Sequence, residues 1–178
     1  MTEREIINGC IKKDEVCQRM LFEQFAAGMM TVCRRYARDQ GEAEDILQDA
    51  FIRIFSFIRQ YRSEGSLEGW IRRIVVNTAL KAIQKRKIVF SGINEEHERV
   101  QSTEADAPSN LSAEELLKLI SQLPDGYRLV FNLYVMEEYN HEEIAGMLKI
   151  TAGTSRSQLS KARRMLKEQI LSIQKIPI

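Results

Sequence analysis

NHEEIAGMLKITAGTSRSQLSKARRML, residues 140–166, decides how the rest of the chain is read. Asn140 followed by Glu143 is a helix-start signature: the amide oxygen can accept from an early backbone N–H while the carboxylate reaches back to the cap. Ile144, Ala145 and Leu148 then recur at helical spacing, and Thr151 can cap a second helix. So few residues join His141–Lys149 to Ala152–Lys167 that the two helices must cross steeply, with Ala145, Gly153 and Ala162 keeping the crossing small. The spacing predicts a helix-turn-helix.

In the second helix Ser155, Leu159, Ala162 and Leu166 share one face, while Arg156, Ser157, Ser160, Lys161 and Arg164 are expected on the other. Arginine and serine at a helix start can hydrogen-bond base edges in a major groove, and Lys161, Arg163 and Arg164 can meet flanking phosphates. A solvated basic face on a core helix would show the same periodicity. The agreement of cap, tight turn and small crossing residues within one stretch favours duplex DNA. One position disagrees: Lys149 stands in the turn, where a left-handed conformation costs a lysine on the order of 1 kcal/mol.

Upstream, Ser112 and Glu115 form another capping box ahead of Leu116, Leu117 and Ile120. Pro124, Asp125 and Gly126 are expected to make a turn and Tyr127–Met136 the next helix, with a fraying end beyond Glu168. Before this module lies VFSGINEEHERVQSTEADAPSN, residues 89–110, which is polar, acidic and aperiodic and reads as a flexible connector. Further upstream the 3.6-residue period returns. Leu21, Phe22, Phe25, Met29, Cys33 and Tyr36 form one stripe, and Ile46, Phe51, Ile54, Phe55 and Ile58 a second. Ile71, Ile74, Val75, Thr78 and Ala82 line a helix over Leu67–Arg86, and a short helix over Glu3–Lys12 completes a bundle. The expected fold is all-α: two small helical domains over 1–88 and 112–170, joined by an acidic linker over 89–111.

Charge follows the same division. The formal net charge is only +1, yet it splits into about +4 up to Lys87, −4 from Ile88 to Leu111 and +1 thereafter. No run approaches the roughly 20 apolar residues of a membrane span, and MTEREIINGC is charged where a signal peptide is apolar, so the expected location is cytoplasmic, without membrane insertion. Cys10, Cys17 and Cys33 lack paired spacing and a nearby histidine, which argues against a disulfide framework or a metal site and leaves them as small core or surface residues. Enzyme chemistry finds no support: His141–Glu143 lacks the histidine pair of a zinc helix, and no nucleophile elbow or phosphate loop is present. His97 and His141 read as surface residues, and no cofactor is expected.

Two further faces matter. On the Leu67–Arg86 helix, Arg73, Asn77, Lys81 and Lys85 line up at four-residue spacing, and Trp70 opens the helix beside Tyr61 and Arg62. Interleaved aromatics and cations suit single-stranded DNA, where unpaired bases stack and the backbone needs charge; a core role for Trp70 and a solvated basic row are the plainer readings. The helix EAEDILQDAFIRIF, residues 42–55, instead presents Glu44, Asp45, Gln48 and Asp49. Acid near a helix start suits the dipole, but Gln48 and Asp49 lie beyond its reach, which suggests a partner-binding face.

EAEDILQDAFIRIF, then GWIRRIVVNTALKAIQKRK, then LPDGYRLVFNLYVMEEYNHEEIAGMLKITAGTSRSQLSKARRML together resemble the extracytoplasmic-function group of the sigma-70 family of bacterial transcription initiation factors, over about Ile6 to Glu168. Region two and region four are present in order and region three is missing. The resemblance implies a non-catalytic subunit that binds core RNA polymerase and directs it to promoter DNA. It implies that Asp45, Gln48 and Asp49 contact the polymerase clamp helices. Tyr61, Arg62, Trp70, Arg73, Asn77, Lys81 and Lys85 would recognise and melt the minus-ten region, with Asn77 as polar reader. Arg156, Ser157, Ser160 and Lys161 would read the minus-thirty-five element, the linker would occupy the RNA exit path, and an anti-sigma protein would clamp both modules. Lys149 in the turn and Lys81, where acidic or polar residues are usual, depart from the family pattern. The rival readings are an operator-binding regulator that uses the same helix-turn-helix without polymerase, and a pure interaction module.

Overall fold

Side-chain caps set where the helices begin. Thr2, Ser112 and Asn140 each accept from the backbone N–H three residues on, and Glu5, Glu115 and Glu143 return the bond to the cap. Asp14 and Asp39 cap with their carboxylates, and Thr151 Oγ1 accepts from the Thr154 N–H at 3.0 Å. The computed structural model describes residues 1–90 and 112–174. Among these the regular structure is helical, without strands: α1 (Glu3–Ile11), α2 (Glu15–Tyr36), α3 (Gln40–Phe57), α4 (Leu67–Phe90), α5 (Ala113–Ser121), α6 (Asp125–Phe131), α7 (His141–Leu148) and α8 (Ala152–Gln174). The chain divides into two compact units, Met1–Gly92 and Ile93–Ile178. α4 continues to Phe90, past the expected end at Arg86, and from residue 91 the expected linker lies outside the described residues.

In the first unit α2, α3 and α4 pack against one another and α1 packs on α2. Leu21, Phe25, Met29 and Tyr36 of α2 meet Ile46, Phe51 and Ile54 of α3 and Ile71, Val75 and Ile83 of α4 in one buried core. Phe22 departs from the expected stripe: it is 40% exposed, with its ring edge-on to Phe51 at 4.7 Å. Of the predicted stripe of α4, Ile71, Val75 and Thr78 are buried and Ile74 and Ala82 half-buried; Val76, Ala79, Leu80 and Ile83 are buried as well, because the helix lies against both α2 and α3. Gly9 allows α1 to approach α2; a Cβ there would stand 2.6 Å from the Cys17 Cβ. The three cysteines are free and buried. Burial pushes the Cys10 thiol up to about 11 and that of Cys33 to about 12, so neither is a nucleophile at neutral pH.

In the second unit α8 packs on α6 and α7 and touches α5. Ser155, Leu159, Ala162 and Leu166 are buried as their spacing predicts, and Ile170 prolongs the stripe, so α8 runs on to Gln174 where fraying was expected. Asp125 and Gly126 belong to the first turn of α6 rather than to the preceding turn, with Pro124 as its N-cap. The buried Arg128 closes that corner, donating to the Ser121 carbonyl at 3.1 Å and pairing with Asp125 at 2.8 Å. α6 gives way to a π-turn over Asn132–Met136, which replaces the second half of the predicted Tyr127–Met136 helix.

Lys149 is left-handed, at φ 56° and ψ 45°, and its N–H and that of Ile150 both donate to the Ala145 carbonyl. The expected strain is present, and the tight turn is built regardless, because two bonds close it. Lys149→Gly should therefore raise the stability of the second unit by about 0.5–1 kcal/mol, seen as a Tm increase of a few degrees in calorimetry of the full chain. A lower Tm would show that the lysine side chain stabilises the turn.

Candidate nucleic-acid interface

α7 and α8 are joined by a short polar relay. The Ser155 hydroxyl, fully buried on α8, is hydrogen-bonded to His141 Nδ1 at 2.9 Å. The other partner of that imidazole is Tyr134 from the π-turn, stacked at 4.6 Å between centroids and 21° between planes. The Arg163 guanidinium lies over the Tyr134 ring at 5.9 Å, and Arg156 Nη1 reaches Glu142 Oε1 at 3.7 Å. Partial burial and then the charge of Arg156 hold the His141 pKa below its usual 6.5; Glu142 opposes and Arg163 adds to the shift. His141 is thus half-buried and bonded, not the surface residue its position suggested. No sequence signal marks its fourteen-residue pairing with Ser155.

Of the residues predicted for the outer face of α8, Arg156, Arg163 and Arg164 are exposed and Ser157 and Ser160 half-buried. Lys161 is a correction, since only 9% of it is exposed. At about 100° per residue it falls on the flank shared with the half-buried Gln158 and Met165, on a helix packed by α5, α6 and α7.

In the first unit the loop before α4 is pinned from within. The Tyr61 hydroxyl donates to the Gly65 carbonyl at 2.7 Å, and Ser66 Oγ accepts from the Gly69 N–H at 3.1 Å. Ser63 and Gly65 take positive φ, 56° and 137°. The Tyr61 and Trp70 rings lie 5.6 Å apart, tilted by 54°, on the wall of a cavity of about 370 Å³ that Arg62, Ser66 and Arg73 also line. Trp70 is half-buried, so it is neither a core anchor nor a free ring. Arg73, Asn77, Lys81 and Lys85 are all exposed along α4, and the helical period puts Trp70 on the same side.

On α3, Asp45, Gln48 and Asp49 are exposed, and Ile52 stands among them with 58% of its surface bare. Sequence reasoning passed over Ile52, although its place off the buried stripe marks it. Among the described residues no His, Cys, Asp and Glu group could hold a metal, and no helix is long and apolar enough to cross a membrane.

Residues 21–88 match the family model for Sigma-70 region 2, and residues 113–166 that for Sigma-70 region 4. The ECF RNA polymerase sigma factor SigE of Mycolicibacterium smegmatis is 30% identical over 156 residues, 84% of this chain; the chain spans 60% of that protein. The ECF RNA polymerase sigma-E factor of Escherichia coli K12 is 26% identical over 182 aligned residues, 96% of this chain and 95% of that one. The chain belongs to the extracytoplasmic-function group of the sigma-70 family. Two solved structures share the fold. One is RpoE with the anti-sigma factor NepR from Bartonella quintana, at TM-score 0.52 and 19% identity, covering 86% of this chain and 98% of that one. The other is CnrH with the cytosolic domain of CnrY, at TM-score 0.51 and 13% identity, covering 96% and 97%.

Region 2 thus contains the aromatic cavity, the basic row and the acidic face, and region 4 contains the helix-turn-helix with its histidine relay. An imidazole whose folded pKa lies below 6.5 binds fewer protons folded than unfolded. The stability it contributes is complete above pH 6.5 and is lost as pH falls below 6.5 toward the folded value. Thermal unfolding of the full chain should show the region 4 transition fall between pH 7.5 and about 5.5, and His141→Phe should flatten that slope. An unchanged slope in the variant would assign the pH dependence to other groups.

Proposed function

We propose that this chain is an RNA polymerase sigma factor of the extracytoplasmic-function type, a non-catalytic subunit acting in the cytoplasm that directs core polymerase to promoters and helps open them. The observation that supports it most is the pairing, in one chain, of a helix-turn-helix with an aromatic-walled cavity beside a cationic helix face. Duplex DNA is read by the first kind of surface and unstacked bases by the second. An operator-binding regulator needs only the first.

The roles divide by module. In residues 1–88, Tyr61 and Trp70 offer ring faces to an unpaired base of the minus-ten element, Asn77 a polar reader, and Arg62, Arg73, Lys81 and Lys85 charge for the strand. Asp45, Gln48 and Asp49 around Ile52 form a mixed acidic and apolar face suited to the polymerase clamp helices. In residues 112–170, Arg156, Ser157 and Ser160 face base edges of the minus-thirty-five element and Arg163 and Arg164 meet phosphates; Lys161, being buried, leaves that set. An anti-sigma protein is the expected regulator, in keeping with the NepR complex of the similar RpoE.

Run-off transcription with core polymerase on genomic fragments tests this reading. Discrete start sites that depend on the chain support it. No start sites, together with a footprint of the isolated chain on duplex DNA, would establish the operator-binding alternative. Arg156→Ala should weaken minus-thirty-five recognition by about 1–3 kcal/mol if its contact is bidentate to guanine, measured as transcription from the cognate promoter. Asp49→Lys should impair core binding in a pull-down and leave the circular dichroism spectrum unchanged, since Asp49 is exposed; normal affinity would remove α3 from the polymerase contact.

A further inference from the structure

The His141 relay has a place in recognition that neither exposure nor charge would suggest. Ser155 immediately precedes Arg156 in α8, so whatever fixes the direction of Ser155 fixes that of its neighbour. A fully buried hydroxyl needs a partner, and His141 Nδ1, at 2.9 Å, is that partner. The same ring rests on Tyr134, and Tyr134 lies beneath the Arg163 guanidinium. Arg156 itself reaches back across the relay to Glu142, the residue next to His141. One imidazole thereby joins the start of α7, the π-turn and the first turn of α8, with an arginine of the candidate reading face on each side.

Resting on the sigma-factor reading, we propose that His141 is a positioning residue for duplex recognition: within the orientation that the buried stripe gives α8, it holds Arg156 and Arg163 in place through Ser155 and Tyr134, without touching DNA itself. The charged groups near the ring are Arg156, Arg163 and Glu142, two cations against one anion. The α7 N-terminus adds a positive dipole end. A neutral ring suits that setting, since a charged one would repel the two arginines it holds. The Thr151 hydroxyl accepts from the Thr154 N–H at 3.0 Å and lies 2.9 Å from the Thr154 hydroxyl, bonds that stay within the turn where α8 begins.

The test uses the full chain with core polymerase on two templates: a promoter recovered by run-off transcription, and the same promoter with its minus-thirty-five segment scrambled. The readout is the ratio of transcripts. His141→Phe keeps a ring against Tyr134 and loses Nδ1, and should lower the ratio by about fivefold, the effect of one hydrogen bond, with the Tm at pH 7.5 within a few degrees of the parent. Ser155→Ala should lower it by a similar factor, and the double variant should be no worse than either. His141→Asn, whose amide stands as many bonds from the backbone as Nδ1, should restore part of the ratio. An unchanged ratio in His141→Phe, or effects that multiply in the double variant, would overturn the proposal. Should His141→Phe fail to fold, Ser155→Ala decides, and an undiminished ratio there overturns it equally. A parent chain that starts no transcription on either template would overturn the sigma-factor reading beneath it.

Discussion

Each polar face of this protein points where it does because the opposite face of the same helix is buried. Ile71, Val75, Ala79 and Ile83 turn α4 into the first core, so that Arg73, Asn77 and Lys81 can only face away. Ser155, Leu159, Ala162, Leu166 and Ile170 do the same for α8. Burying one large aliphatic side chain contributes about 1.5–3 kcal/mol, and a rotation by one residue would exchange Ile71 for Arg72, Ile83 for Gln84, Leu159 for Ser160 and Leu166 for Lys167. No surface interaction competes with that. The two candidate reading faces are consequences of packing, and their chemistry could be changed without altering the helices that present them.

Packing sets direction but not affinity, and here the charge balance matters. Glu142 sits beside Arg156, and the net charge of the whole chain is +1, which is little for a protein meant to hold DNA alone. Exposed pairs of this kind contribute roughly 0–1 kcal/mol, so the arginine is readily released to DNA. A net charge this small, combined with two separate candidate reading faces, fits a subunit whose grip is completed by a larger partner. The face of α3 proposed for that partner is acidic and apolar, distinct in sign from the cationic faces.

Much of this was legible beforehand. The side-chain caps Ser112, Asn140 and Thr151, the buried stripe of α8 and the basic row of α4 follow from spacing alone, because short-range periodicity reports which side of a helix meets a core. What escaped involves more than two helices at once. Lys161 looked outward on a two-sided helix and is buried on a helix packed by three. His141 looked like a surface residue because neither Ser155 nor Tyr134 lies near it in any local pattern. Ile52 was omitted for the reverse reason: an apolar residue off the core stripe invites no structural explanation, and its exposure is what makes it informative. The Lys149 conformation was anticipated as strain, but the two bonds to Ala145 that hold it could be seen only in three dimensions.

The central claim is that two weak faces become one promoter grip only on the polymerase. Footprinting of a promoter duplex, with permanganate for unpaired thymines and DNase I for duplex protection, tests it directly, with the chain alone, core polymerase alone, and both together. The account predicts reactive thymines in the minus-ten region, and protection at minus-thirty-five, only when both are present. Protection by the chain alone, with no dependence on core polymerase and no unpaired thymines in any mixture, would contradict it.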